Sequence, residues 1–179
     1  IIQGRLYDSQ NSKTAEIGHY IVEKDGKQCR CGRKGCLETK VATHAIAEQV
    51  RAACTEETMP QLCRLMEGDP NRIEARNISE WIETEDEGLG RVLDDIIEQL
   101  ARVAVNTITL LAPDKVIIYG EMFSHSRVEE RFLHFCSHYD ASYHGGYIVK
   151  SELSDRIEYI GPLAVAVNEL FLLAGSQED

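Results

Sequence analysis

The sequence predicts a mixed α/β lobe with a metal-binding loop near its start. Three observations carry that expectation. One imidazole and three thiols fall between His19 and Cys36. A long helix with a recurring apolar stripe is expected from Glu87 to Leu111, stopped by Pro113. Directly after it, Lys115-Val-Ile-Ile-Tyr119 is a short β-branched run of the kind that parallel sheets bury, and Gly120-Glu121 follows at its carboxyl end. Open α/β sheets place their ligands at such strand ends.

Taken in order, Ile1 to Tyr7 reads as a hairpin around Gln3-Gly4, and Asp8 to Thr14 as a polar, glycine-free loop. Ile17 to Val22 alternates weakly and reads as a third strand carrying His19. From Glu38 to Cys54, Val41, Ala45, Ile46, Ala47, Val50 and Ala53 recur at helical spacing. Short helices are expected from Met59 to Met66, before Gly68-Asp-Pro70, and from Ile78 to Glu83, where Trp81 is read as packing. In the long helix, the interval Ala101–Ala112 is apolar on nearly all sides and is expected to be buried. Ser126 to His138 is a further helix with Val128, Phe132 and Phe135 inward. Tyr147 to Lys150 and Ile157 to Ile160 read as strands, and Gly161-Pro162 as the opening of the last helix. That order of elements does not of itself name a superfamily.

With 179 residues the chain makes one domain with a real core. The formal charge of −11 argues against a general nucleic-acid-binding surface. Locally the balance reverses: Lys24, Lys27, Arg30, Arg33, Lys34 and Lys40 face only Asp25 and Glu38. Such a rim balances an anionic thiolate cluster or forms a docking surface for a partner. Cys54, Cys63 and Cys136 are scattered through helical text and read as reduced, partly buried thiols of a cytoplasmic protein. No signal peptide or membrane-spanning run is evident. The chain opens on Ile-Ile without Met or a capping signal, which reads as entry into a strand and so as a fragment.

The densest chemistry lies in Glu16-Ile-Gly-His19, nine residues, then Cys29-Arg-Cys31-Gly-Arg-Lys-Gly-Cys36-Leu-Glu38. His19, Cys29, Cys31 and Cys36 make a full tetrahedral ligand set for zinc (Zn2+). Cys29 and Cys31 are too close for a relaxed mutual disulfide. Gly32 and Gly35 suit a loop that folds its sulfurs around one ion. All four positions are filled, so the site reads as structural, with no place for an activated water. The alternative is a cysteine-rich turn of reduced thiols. Glu16 and Glu38 flank the ligands, and a metal that pins His19 to Cys36 brings both acids toward one place. Paired carboxylates suit a polyhydroxylated ligand.

This spacing closely resembles the signature of the ROK family, which groups sugar-responsive repressors with sugar kinases. The likeness extends to Ala112-Pro-Asp-Lys-Val-Ile-Ile-Tyr-Gly120 and to the closing Gly161–Ala174 segment. It implies a ribonuclease-H-like lobe of the actin and hexokinase type with an inserted zinc loop at residues 19–38. It also implies that residues 1–179 are a single C-terminal lobe whose N-terminal lobe lies outside this chain. By the same likeness, zinc is held by His19, Cys29, Cys31 and Cys36, and a sugar is faced by Glu16, His19 and Glu38.

Phosphoryl transfer needs a phosphate cradle, a magnesium site and a base for the sugar hydroxyl. No Walker-type motif occurs here. Kinases of the family carry a Gly-Gly pair after the strand at 116–118, where this chain has Tyr119-Gly120-Glu121. Ring and carboxylate both disfavour ATP. The pattern is therefore most similar to the NagC/XylR-type regulators, with no catalytic residue expected in this chain. On that reading the partners are a sugar or sugar-phosphate effector, a second copy of the chain, and DNA only through a helix-turn-helix not present here. The alternatives are the C-terminal half of an ATP-dependent sugar kinase and a free-standing zinc-dependent interaction module.

Overall fold

The structure is a computed structural model and describes residues 16–140, 146–153 and 157–167. The hairpin and polar loop expected over 1–14 lie outside the described residues, as does the last helix beyond residue 167.

Among the described residues, nine α-helices and β-strands follow a 3-10 turn at Ile17–His19. Helices α1 (Glu38–Val41), α2 (Thr43–Ala53), α3 (Pro60–Leu65), α4 (Ile78–Trp81) and α5 (Glu87–Leu111) come first. Then come β1 (Val116–Ile118), α6 (Ser126–Tyr139), β2 (Ile148–Lys150) and α7 (Ile157–Val167). The two strands pair in parallel with Val116 opposite Ile148, across the α6 crossover, which is the βαβ connection a parallel pair requires. The expected mixed α/β character is therefore present, and β1 is a parallel-sheet strand, but not one buried throughout: Ile118 is buried while Ile117 is 68% exposed.

The core is built where α2, α5 and α6 meet. Ile46 and Val50 of α2, Leu89, Ile96, Ile97 and Ala101 of α5, and Phe132 of α6 are buried. Trp81 is fully buried beneath them, and its indole N–H donates to the Glu74 carbonyl at 3.1 Å. Its packing role is as expected from the sequence. Phe123 meets Phe132 edge to face with ring centres 5.2 Å apart, the arrangement the ring quadrupoles prefer.

Four expectations are corrected. Ile17–Val22 is no strand: it folds as the 3-10 turn and then makes a single antiparallel bridge, Ile21 to Cys36. Its alternation is too short to outcompete the turn that aims His19 inward. The helix expected from Glu38 to Cys54 breaks at Ala42, which takes extended angles (φ −64°, ψ 142°) and separates α1 from α2. The last turn of α5 is not buried: Leu110 and Leu111 are 74% and 63% exposed. Ile157–Ile160 is helical, so α7 starts four residues before Gly161 and contains Pro162. Pro162 is the sixth residue of α7, past the first turn, so it removes one N–H from the helix ladder at a position where proline ordinarily kinks a helix. Among the described residues, no helix is long and apolar enough to cross a membrane.

Candidate metal centre

The 16–38 segment is a small knot of turns rather than a packed layer. The backbone of Val22 and Glu23 donates to Gly35 O at 2.8 and 3.2 Å, and Leu37 N donates to Tyr20 O at 2.8 Å. A tight reversal over 28–34 is closed by Cys29 N to Arg33 O at 2.8 Å and Gly32 N to Cys29 O at 3.0 Å. Gly32 and Gly35 both take positive φ, 89° and 70°, as the sequence suggested. Gly35 is doubly constrained, since a Cβ there would lie 1.8 Å from Glu23 O. Leu37, which directly follows Cys36, is fully buried.

These turns bring His19, Cys29, Cys31 and Cys36 together, with their ligand atoms all within 4.8 Å of one another. His19 Nδ1 is 3.7 Å from Cys29 Sγ, and Cys31 Sγ is 3.6 Å from Cys36 Sγ. Tetrahedral zinc with standard bond lengths separates its ligands by about 3.5–3.8 Å. The donor set therefore fits such an ion in chemistry, and these two pairs fit it in span. Cys29, Cys36 and His19 are buried, and Cys31 is half-buried.

Electrostatics sharpen the same point. The Arg33 side chain beside Cys31 holds that thiol well below the usual range, at about 6. Burial, followed by the neighbouring sulfurs of Cys31 and Cys29, pushes Cys36 up to about 12. Three thiolates in one buried place repel one another, so a cation is what lets all of them deprotonate.

Glu16 and Glu38 converge on the imidazole from opposite sides. Glu16 Oε2 lies 2.9 Å from His19 Nε2, and Glu38 Oε2 lies 3.5 Å from His19 Nδ1. A carboxylate on the far nitrogen of a ligating histidine fixes the ring orientation. Glu38 also lies 3.4 Å from Cys29 Sγ through the same oxygen, while its other oxygen takes Arg30 at 2.7 Å. All five residues singled out from the sequence outside Cys31 are thus neighbours of one sulfur or one imidazole, and Cys31 completes the set.

Sequence reasoning missed the specific work of the basic rim. Arg30 holds Glu38, Arg33 serves Cys31, Lys40 pairs with Glu23 at 3.1 Å and Lys27 with Glu48 at 2.9 Å. The available signal was position: Arg30 stands between two ligand cysteines and can only point outward, toward the flanking acid.

A second concavity of about 210 Å3 opens at the carboxyl end of β1, between Tyr119, Glu121, Phe123 and Ser124 on one side and Lys150 and Ser151 on the other. Gly120 there has φ 136°. The Glu121 carboxylate accepts from Ser79 Oγ at 3.0 Å. This is the strand end at which a ligand was expected.

The chain is similar to several known proteins. The chain is 28% identical over 120 residues to the glucokinase of Thermotoga maritima, covering 67% of this chain and 38% of that protein. It is 29% identical over 133 residues to the DNA-binding transcriptional dual regulator NagC of Escherichia coli K12, covering 72% of this chain and 30% of NagC. The chain spans well under half the length of these curated relatives. Its fold matches that of a ROK family glucokinase from Streptomyces griseus, solved with glucose and AMPPNP, at a TM-score of 0.68 and 22% identity over 85% of this chain and 51% of that one. The described residues therefore share the mixed α/β fold of ROK glucokinase and hexokinase. Because the profile of the ROK family matches residues 1–168, nearly the entire chain, this protein belongs to the ROK family.

Proposed function

We propose that this chain is the effector-binding portion of a ROK-family transcriptional regulator of carbohydrate metabolism, with structural zinc held by His19, Cys29, Cys31 and Cys36. The observation that carries the reading is the His19 imidazole set between the Glu16 and Glu38 carboxylates at the edge of the four-ligand cluster. His19, Cys29, Cys31 and Cys36 would hold the zinc, which when bound would tie these residues together and leave no position for an activated water. His19 and the three cysteines then hold the 16–38 knot closed. Closure aims Glu16 and Glu38 at one rim, where their carboxylates accept hydrogen bonds from the hydroxyls of a sugar or sugar phosphate. Arg30 keeps one oxygen of Glu38 engaged and so fixes which oxygen faces inward.

The rest of the regulator lies outside residues 1–179. Sugar bound at this rim closes the cleft against that remainder, shifts the geometry of a homodimer and changes its affinity for operator DNA. DNA itself is contacted by a helix-turn-helix outside this chain, in keeping with the formal charge of −11 here. Nothing in the reading requires a membrane, and the protein works in the cytoplasm.

Support for a regulator over a kinase comes from the β1 end. The Tyr119 ring and the Glu121 carboxylate both line the concavity there, and a carboxylate repels nucleotide phosphates. The kinase alternative draws on that same concavity and on the likeness to glucokinases.

Calorimetric titration of the full-length protein with a panel of sugars and sugar phosphates tests the proposal. At least one member is expected to bind. Glu38→Ala removes a charge-assisted hydrogen bond, which costs roughly 1.5–3 kcal/mol or about 10- to 150-fold in affinity. Binding by no member, or equal binding to the variant, counts against the reading. A coupled assay with ATP and the same panel separates the alternative, because robust turnover reassigns the protein to the kinases.

A further inference from the structure

Outside the metal centre, two cysteines that look unrelated in sequence come together. Cys54 ends α2 in extended conformation (φ −74°, ψ 113°), and Cys63 lies inside α3. Their Sγ atoms are 3.3 Å apart, and both are reduced. Cys136, the remaining thiol, is buried elsewhere, on α6.

The backbone on either side of the pair is firmly braced. The Thr55 and Thr58 hydroxyls meet at 2.8 Å, Thr58 Oγ1 donates to Ala53 O at 2.7 Å, and Met59 N donates to Thr55 O at 2.9 Å. The buried Asp86 carboxylate accepts from Gln61 N at 3.0 Å and Leu62 N at 2.7 Å, which fixes the start of α3. A disulfide needs its sulfurs at about 2.05 Å, so at 3.3 Å the two sulfurs stand little more than about 1 Å from bonding distance. Access differs between the two. Cys54 is 7% exposed, and burial pushes its thiol up to about 12, whereas Cys63 is half-buried and reachable from solvent.

We propose that Cys54 and Cys63 are a redox pair that closes an intrachain disulfide on reaction with a small-molecule disulfide such as oxidised glutathione. Cys63 enters as the thiolate, bonds to one glutathione sulfur and releases the other as glutathione thiolate. Cys54 then gives up its proton, attacks the Cys63 sulfur and expels the second glutathione. Two protein thiols are oxidised to one disulfide while one glutathione disulfide is reduced to two thiols, so atoms and electrons balance. The product staples the end of α2 to α3. It touches none of the four metal ligands and stands independently of the sugar reading.

The sequence provides a clean readout. Cleavage after Arg51 and Arg64 releases one tryptic peptide, 52–64, that contains both thiols and no other cysteine. The intact protein is incubated with oxidised glutathione, alkylated, digested and weighed. Peptide 52–64 is expected to be lighter by two hydrogens and to carry no alkyl group. The oxidised protein should melt a few degrees above the reduced one, and dithiothreitol should reverse both changes. Cys54→Ser, which lacks the resolving thiol, should instead hold a stable glutathione adduct on Cys63. Two alkylated thiols in the wild-type peptide, a persistent adduct on wild-type Cys63, a cross-link to Cys136, or an unchanged melting point overturns the proposal.

Discussion

The metal knot and the helical core hold themselves together in opposite ways. In the core, burial is spread over many side chains of α2, α5 and α6, and each contributes a few kcal/mol at most. Between residues 16 and 36, buried side chains are few: His19, Cys29 and Cys36. There the closed form rests on four ligand atoms and a handful of backbone hydrogen bonds. A region stabilised at one point is switchable by chemistry at that point, whereas a distributed core is not. On the proposed reading, a ligand rim built on such a knot depends on a single event, metal binding.

The largest effect that tests this contrast is metal removal. Structural zinc in small domains is worth on the order of 10 kcal/mol. Stripping the metal with a chelator should abolish hydrogen-exchange protection at Val22, Gly35 and Leu37, whose amides close the knot. Amides of α5 should keep theirs, because its buried residues pack within the helical core. Uniform loss across both regions means that knot and core form one cooperative unit.

Trp81→Ala comes next and acts on the other side of the comparison. It removes a fully buried ring and the indole donor to Glu74. Expected destabilisation in urea is about 3–5 kcal/mol, with metal content per folded molecule unchanged. A variant that loses its metal while still folded places Trp81 in the knot's support.

Much of this contrast was legible beforehand, for reasons tied to range. Helix α5 runs over the residues its apolar period marked, from Glu87 to Leu111, because 25 residues of periodicity outweigh any local competitor and Pro113 follows. The approach of His19, Cys29, Cys31 and Cys36 was readable because metal chemistry demands those residue types at close quarters. Ile17–Val22 was not readable, because its few β-branched residues gain only one bridge across the knot. Nor was the break at Ala42, which no proline or glycine marks. The exposure of Leu110 and Leu111 defeats composition entirely, since apolar text on all sides predicts burial without saying what it is buried against. The Cys54–Cys63 approach is tertiary, created by the turn between α2 and α3.

Within the knot, two glycines provide a finer test. Both have positive φ, where an alanine costs about 1–2 kcal/mol. Nothing lies within 4 Å of a Cβ at Gly32, but at Gly35 the Cβ would strike the Glu23 carbonyl. Gly32→Ala should retain metal with affinity reduced roughly 5- to 30-fold. Gly35→Ala should fail to retain it through purification, with the helical circular dichroism intact. Equal behaviour of the two removes backbone approach as the determinant of the closed knot.

The smallest effect at neutral pH concerns sulfur itself, which serves the two regions with opposite pH dependence. Ligand thiolates must be deprotonated, so acid favours metal release from the knot. In the core, burial alone pushes the Cys136 thiol up from 9.0 to about 12. Its folded-state value lies above its unfolded value, so the stability it contributes is fully present below about pH 9 and is lost as pH rises toward 12. Wild type and Cys136→Ala should therefore differ by a constant amount from pH 6 to 8, set by packing. Above pH 9 the wild type should lose stability faster, and the gap should narrow. A gap that stays constant up to pH 11 shows that the thiolate finds solvent or a cation in the folded state, and that α6 is less tightly sealed than its burial indicates.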